Sequence, residues 1–527
     1  MDELLSERYS AELDGVLSCY DRIVITGSLQ PFCYAQGMTH YLYQQGIRIF
    51  DYAKFAEPLR ERIRENTEAL AQANGVKIEF THSGKKDFRK ENRVQQILKE
   101  RGDQPGLVHI FGAMEGCSSY RPWHDKVTGK TYLKPDSSKC MTYYFYFMDK
   151  QLGLCYLRVP TLRQAQGRLW CPFRLQFYFN GHNWLANQLK QRGIAYKMLD
   201  NAFVHIADYT VANQLANEFD VEILHLRLDE FAQQYCPVVT DLKLSYYWSI
   251  MQSEYATDLV FKSRDTLQVS PRRHGDAFYP HLLETLTHAV KPADIATFLG
   301  RKLNGNYQGE MGNRFNQRWI GTRIKHQMGP VSIKMYDKFN RILRIETTVN
   351  KVAFFKHYRQ VQHRDGSTTM RWAPMKKTIH SLPALQEALS AANQRYLKFI
   401  SSIATPQVGV EKLHKLAETK TENQHRHKGF NLFSEEDTCL FRSLLQGEFF
   451  ISGFSNKQLR SKYLSDKSAS QVTRLLKRLR VHGVIKKVGK RYKYYLTDFG
   501  RQSAAMALKL REMVVIPTLA FAANSQT

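Results

Sequence analysis

SQVTRLLKRLRVHGVIKKVGKRYKYYLTDFGR, Ser470 to Arg501, is the stretch on which the reading of the fold turns. In its first half Val472, Leu475, Leu476 and Leu479 fall on one face at helical spacing. Ser470, Gln471, Arg474, Lys477 and Arg478 fall on or beside the outward face, and Gly483 stops the helix. Two short runs follow, Val484 to Val488 and Arg491 to Leu496, joined through Gly489 and Lys490. They predict a β-hairpin. It is basic, with Lys486, Lys487, Lys490, Arg491 and Lys493, and Thr497 then caps another helix.

Working upstream, Glu435 to Gln446 carries an apolar stripe of Leu440, Phe441, Leu444 and Leu445 behind the N-cap Ser434. Ser455 caps a second helix, 456–464, and Ser468 opens the third, 469–482. Three helices and a basic hairpin in this order predict a winged helix-turn-helix over 430–510. The third helix docks one face and presents the other to a major groove, and the wing lies along the backbone or in the minor groove. The stretch Ser470–Arg501 resembles the MarR-like winged-helix regulators, a resemblance covering Phe430 to Arg501 of the 527 residues. It implies double-stranded DNA as partner, with Ser470, Gln471, Arg474, Lys477, Arg478, Lys487, Lys490, Arg491 and Lys493 at the contact. Such regulators are usually small dimers, so a homodimer is one assembly the resemblance allows. This chain is much larger, which argues against a simple ligand-responsive repressor.

The length calls for several domains. Lys and Arg total 76 against 49 Asp and Glu, a formal charge of +27. That field attracts polyanions, nucleic acid first and an anionic membrane second. No apolar run is long enough to span a bilayer and no signal peptide is evident, so a cytoplasmic protein without a membrane partner is expected. The eight cysteines form no C-x-x-C pair and read as reduced structural thiols. His425 and His427 sit in a polar stretch that reads as solvated linker.

The body reads as mixed α/β. Strands are expected at Ile23–Leu29, Val76–Phe80 and Leu107–Phe111, with helices at 53–73 and 88–101. An antiparallel aromatic sheet follows: Thr142–Met148, Leu154–Val159 and Phe173–Phe179, then a helix at 182–192. Tyr143, Phe145 and Phe147 share one face, Tyr144 and Tyr146 the other. Such faces are core or stack single-stranded DNA or RNA. Leu162–Arg168 interrupts this region. It resembles a peptide encoded by a short bacterial repeat element inside a gene, and it reads equally as a polar hairpin loop. Helices are expected over 241–262, 276–300 and 382–402. The domain plan is an α/β domain at 1–240, a basic α/β domain at 241–404, a linker at 405–429, the winged helix and a tail at 511–527.

Gly300 to Arg344 carries ten Lys or Arg against Glu310 and Asp337. Two strands are expected, Val331–Tyr336 and Ile342–Val349, turning at Phe339-Asn340. By alternation Ser332, Lys334 and Tyr336 share a face, as do Arg344, Glu346 and Thr348. Asp337 and Glu346 among these bases are a candidate pair for Mg2+ or Mn2+, with Tyr307 or Tyr336 as nucleophile. An ordinary salt bridge between Glu346 and a neighbouring base is the alternative. The stretch Y-D-K…L-R-x-E is similar to a segment of plasmid and filamentous-phage rolling-circle replication initiators, which nick one DNA strand with a tyrosine and a divalent ion; a paired His-x-His metal motif is missing here. The whole chain resembles a family of multi-copy bacterial proteins, which carries no activity with it. Two functions follow as expectations: a mobile-element or replication-initiator protein acting on DNA, or a non-enzymatic winged-helix transcriptional regulator. RNA binding through the aromatic strands is a third.

Overall fold

The computed structural model describes all residues except 1–3, 82–87, 162–172, 264–285, 287–289, 303–308, 318–321, 404–405, 432, 489–491, 517–518 and 520–527. Leu162–Arg168, Tyr307, Lys490 and Arg491 lie outside the described residues. The chain forms two compact units, Met1–Ala404 and Thr405–Thr527.

The first unit is built on β1 (Leu13–Leu29), β2 (Ile78–Thr81), β3 (Gly106–His124), β4 (Thr131–Asp149), β5 (Gly153–Pro160), β6 (Leu175–Asn180), β7 (Tyr196–Leu199), β8 (Ala202–Ile206), β9 (Tyr246–Phe261), β10 (Met311–Gln317), β11 (Thr322–Met328), β12 (Val331–Lys338), β13 (Ile342–Val349), β14 (Lys356–Gln362) and β15 (Thr368–Pro374). Eleven strands make one sheet in the order β10-β11-β12-β13-β9-β1-β6-β5-β4-β3-β2. Neighbours run antiparallel except β2 and β3, which are parallel. The sheet runs across the expected boundary at 240/241, so 1–240 and 241–404 are one unit. The reason is β9, which pairs with β1 on one side and β13 on the other.

Within 241–262, where a helix was expected, Tyr246–Phe261 is therefore a strand. Its first half alternates, with Tyr246, Trp248 and Ile250 buried and Tyr247 and Met251 exposed. Its second half is buried almost throughout, which hides the period of two. Of the helix expected over 276–300, a helix at Pro292–Phe298 is described.

Six helices position the sheet: α1 (Tyr52–Ala73), α2 (Lys90–Arg101), α3 (Gly181–Gln191), α4 (Tyr209–Asn217), α5 (Val221–Tyr235) and α6 (Leu382–Ile403). On one sheet face Ile25, Phe145, Phe177, Met335 and Ile345 join Phe231 of α5 and Leu389 and Tyr396 of α6 in the main core. On the other face α3 and α4 cover Leu17 and Cys19, and α2 covers Phe111 and Tyr146. Both aromatic faces of β4 are thus packed. Tyr144 also donates to Glu115 Oε1 at 2.6 Å and lies under Lys90. That removes the observation behind RNA stacking on these strands.

The second unit contains α7 (Pro406–Ala417), β16 (Lys420–Glu422), β17 (His425–His427), α8 (Glu435–Leu444), α9 (Asn456–Tyr463), α10 (Ala469–Val481), β18 (Ile485–Lys487), β19 (Tyr494–Leu496) and α11 (Asp498–Leu510). The expected linker at 405–429 is instead a helix and a small hairpin belonging to this unit. Ser434, Ser455, Ser468 and Thr497 cap their helices by accepting from the backbone N–H three residues on. Val472, Leu476 and Leu479 of α10 pack with Leu440, Phe441 and Leu459. Among the described residues no helix is long and apolar enough to cross a membrane.

Gly181 joins the sheet to α3 at a close approach. A Cβ there would meet the Tyr20 carbonyl oxygen at 2.1 Å. Gly181→Ala is expected to cost about 1–3 kcal/mol of overpacking, read as a thermal midpoint lowered by several degrees. An unchanged midpoint would mean that the helix start is not pressed against β1.

Candidate functional site

The β12–β13 hairpin turns at Phe339 and Asn340, both at positive φ (60° and 56°), the mirror-image turn that suits the strand twist. Its register sets Lys334 opposite Glu346 and Tyr336 opposite Arg344. These four share one face, opposite the face that Met335, Leu343 and Ile345 bury in the main core. Of the two candidate tyrosines Tyr336 is described, and its hydroxyl donates to Glu346 Oε2 at 2.7 Å. Asp337 does not join them. It lies opposite Leu343 on the core-facing side with Met335, because successive side chains alternate across a strand. Asp337 borders the same cavity as Glu346, but it is not one of the three carboxylates that cluster there, which corrects the candidate metal pair Asp337/Glu346.

Two carboxylates missed in the sequence take its place. Asp21 stands between Tyr20, which pairs with Tyr255, and Arg22, which pairs with Glu254. It is the extra residue of a β-bulge, a device that re-aims a side chain beside a site. Glu254 comes from β9, the strand read as a helix. One carboxylate oxygen from each of Asp21, Glu254 and Glu346 lies within 4.8 Å of the other two. They line a cavity of roughly 380 Å3 together with Arg22, Lys334 and Tyr336.

Lys334 Nζ donates to Glu346 Oε1 at 2.6 Å and to Glu254 Oε1 at 3.4 Å. Burial opposes its charge, but these two carboxylates overcome that and raise its pKa. Glu254 is pushed up by burial and by the charge of Glu346, so one lysine does not fully neutralise the pair. Burial and then Glu346 push the Tyr336 phenol well above its usual range. It rests protonated, with an acceptor for its proton already in place.

Beneath the cavity lies a second layer of charge. Arg344 is fully buried and forks onto Asp258 at 2.7 and 2.6 Å, with Asp21 Oδ2 at 3.5 Å. Its Nη2 also stands 3.1 Å from His182 Nε2. His182 Nδ1 lies 3.1 Å from Asp21 Oδ1. Asn180 caps α3 with its carbonyl while its amide donates to Asp21 at 3.1 Å. Asn201 adds a further donor at 3.0 Å. Burial raises the Asp21 pKa, but Arg344 and His182 outweigh it and keep the carboxyl ionised, well below the usual range. Lys338 donates to Asn201; burial and Arg344 bring its pKa down to about 8.

A row of cations leads away from the carboxylates. Arg314, Lys325 and Lys334 are successive cross-strand partners on β10, β11 and β12. Like charges directly opposite repel, and burial together with Lys334 lowers the Lys325 pKa. An anion laid along the row would relieve both.

On α10 the expected contact residues divide. Ser470, Gln471 and Arg474 are exposed, as are Lys487 and Lys493 on the hairpin. Arg478 is not available. It donates to the Lys428 and Gly429 carbonyls at 2.8 and 2.6 Å, pairs with Asp437 at 2.9 Å and lies over the Phe430 ring at 3.9 Å. Lys477 is tied to Glu422 at 2.7 Å. Arg478 faces the body of its own unit because the 100° step of the helix places it on the border of the apolar stripe, beside Leu479.

Compared with family models, curated proteins and solved structures, the chain matches none.

The buried layer predicts an acid dependence. Burial raises the Asp258 pKa, but Arg344 and His182 reverse this and bring it down to about 2. A carboxylate with a lowered folded pKa contributes stability that is full above its unfolded value near 3.9. That contribution is lost as pH falls toward 2, on the order of 2–3 kcal/mol. Asp258→Asn should flatten the fall in unfolding midpoint below pH 5. It should also destabilise at pH 7, since Arg344 loses its closest partner. Calorimetry across pH showing parallel curves for both proteins would refute the assignment.

Proposed function

We propose that this chain is a DNA-binding protein of mobile-element or replication-initiator type that acts on phosphodiester bonds. One observation carries the reading: the Tyr336 hydroxyl on Glu346, inside a cluster of three carboxylates, at the end of a row of cations. Asp21, Glu254 and Glu346 would hold a divalent cation, Mg2+ or Mn2+. Bound there, the ion would polarise the phosphoryl group. Glu346 accepts the tyrosine proton, and the phenolate oxygen forms a bond to phosphorus. The bond from phosphorus to the leaving ribose oxygen breaks, and that oxygen takes up a proton. Lys338, poised near pH 8, is suited to supply it. Arg314, Lys325 and Arg22 meet the phosphate charge.

The helix order, the four caps and the basic hairpin of the second unit support the winged helix-turn-helix reading of 430–510. Arg474, Lys487 and Lys493 are its exposed cations for double-stranded DNA, and Arg478 and Lys477 hold the unit together. The alternative, a non-enzymatic transcriptional regulator, is favoured by one observation. Glu346 is buried and paired with Lys334, as a structural salt bridge would be.

Two sets of variants test this. Supercoiled and single-stranded DNA, incubated with the protein and Mg2+ or Mn2+, should be nicked and should carry protein covalently at a DNA end. Tyr336→Phe should abolish the adduct, and Glu346→Gln should lower nicking by about 100-fold or more. Chelation should stop the reaction. If wild-type protein neither nicks nor forms an adduct on its target, the regulator reading takes over.

In duplex binding, changing Arg474, Lys487 and Lys493 to Ala together should weaken affinity at every sequence and reduce the salt slope by about one unit per lost phosphate contact. Arg478→Ala should act differently, lowering the stability of the second unit by about 2–4 kcal/mol, because Asp437 and two carbonyls lose their donor. Intact affinity in the triple variant would remove this surface from the DNA interface.

A further inference from the structure

The two-stranded ribbon β14–β15 stands apart from the large sheet. Among the described residues its strands pair only with each other, and an isolated hairpin is marginal in water. It is anchored at its base, where Met375 N donates to Phe355 O at 2.9 Å and Ile250 N to Lys377 O at 2.7 Å. Outward from there its two faces carry different chemistry. Tyr358 is directly opposite Trp372, and Met370 is the next residue along that face. All three are exposed, at 56%, 68% and 53%, and the two rings lie 6.3 Å apart. On the reverse face Arg359 is directly opposite Arg371.

The ring pair does not serve the fold. Exposed aromatic side chains on a marginal ribbon gain nothing from burial in this unit. Residues 356–377 carry six Lys or Arg and one acid, Asp365. Asp365 is committed to its turn, accepting from Ser367 N at 3.0 Å and Oγ at 2.7 Å. Arg359 is half-buried and donates to the carbonyls of Pro374 and Gln360, which commits its guanidinium to the ribbon.

We propose that β14–β15 is a binding site for a single strand of nucleic acid, with unpaired bases stacked on Trp372 and Tyr358 and a phosphate on Lys356, which is exposed on the same face. Rings with an open π-face bind any base, and a lysine meets the backbone charge, so the site is tolerant of sequence. A duplex offers no free base face to these rings. The ribbon therefore selects the unpaired strand, which is the form a nicking site needs. The base of the ribbon touches β9 at Ser249, through its bridge to Thr378. Glu254 lies five residues further along that strand, on the order of 17 Å away. The inference deepens the DNA-acting reading and rests on it.

The test uses the full chain, a labelled oligo(dT) and, separately, a blunt duplex. Tyr358→Ala and Trp372→Ala should each weaken oligo(dT) binding by about tenfold. Lys356→Gln should reduce its salt slope by about 0.7 for the lost contact. Duplex affinity should stay within about twofold, since stacking plays no part in it. Both rings are exposed, so circular dichroism should be unchanged in the variants. Oligo(dT) affinity that survives the ring variants overturns the proposal. So does a wild-type chain that binds duplex alone, which leaves the DNA-acting reading standing; binding of neither probe ends both. A change in sedimentation of the ring variants with oligo(dT) binding intact would show that the ribbon docks a second protein copy, and would also overturn it.

Discussion

A fully buried guanidinium imposes the strictest constraint on the first unit. Arg344 cannot shed its charge, and an unpaired ion in that interior is worth several kcal/mol of penalty. It is held by Asp258 on the adjacent strand β9 and by Asp21 on β1 beyond it. Strands β13, β9 and β1 must then lie side by side in one register, and β1 must bulge at residue 21 to turn that carboxylate toward the guanidinium. The helix start at Asn180, Gly181 and His182 closes over the same group. The fold and the site share one set of contacts.

That shared origin explains the electrostatics of the cavity. Arg344 and His182 hold Asp21 ionised from below, while Glu254 and Glu346 share Lys334 from above. The carboxylates sit close because the sheet, not a loop, spaces them: Glu254 and Glu346 are on paired strands and Asp21 is one bulge away. Such a site is rigid at the backbone and under-neutralised at the side chains. A cation and a phosphate would each find partners already in position.

The second unit applies a different rule to its basic residues. A helix that carries seven cations or polar groups on its outer half cannot commit all of them to a ligand. Lys477 and Arg478 are used inward, on Glu422 and Asp437, and they secure the small β16–β17 hairpin and Phe430 to α10. Arg474, a turn earlier, stays exposed. Net charge alone does not separate these uses; the position of each residue relative to the apolar stripe does.

Much of the local structure was legible in the residues. The caps, the α10 stripe, the basic hairpin, the β12–β13 pair with its turn at Phe339-Asn340, and the face shared by Lys334 and Tyr336 all follow from short-range periodicity and turn chemistry. What lay beyond reach was long-range pairing. Residues 241–262 read as a helix because a strand buried on both faces has no visible alternation, and with β9 misread neither the single eleven-stranded sheet nor Glu254 could be placed. Asp21 depends on a bulge, which leaves no mark in one sequence. Asp337 was grouped with Glu346 because the hairpin brings both strands together, although a single residue step along a strand reverses the face. The sequence by itself determined the elements, their caps and the strongly basic field. Only the tertiary structure decided which carboxylates meet and which arginines face outward, because both depend on contacts between segments far apart in the chain.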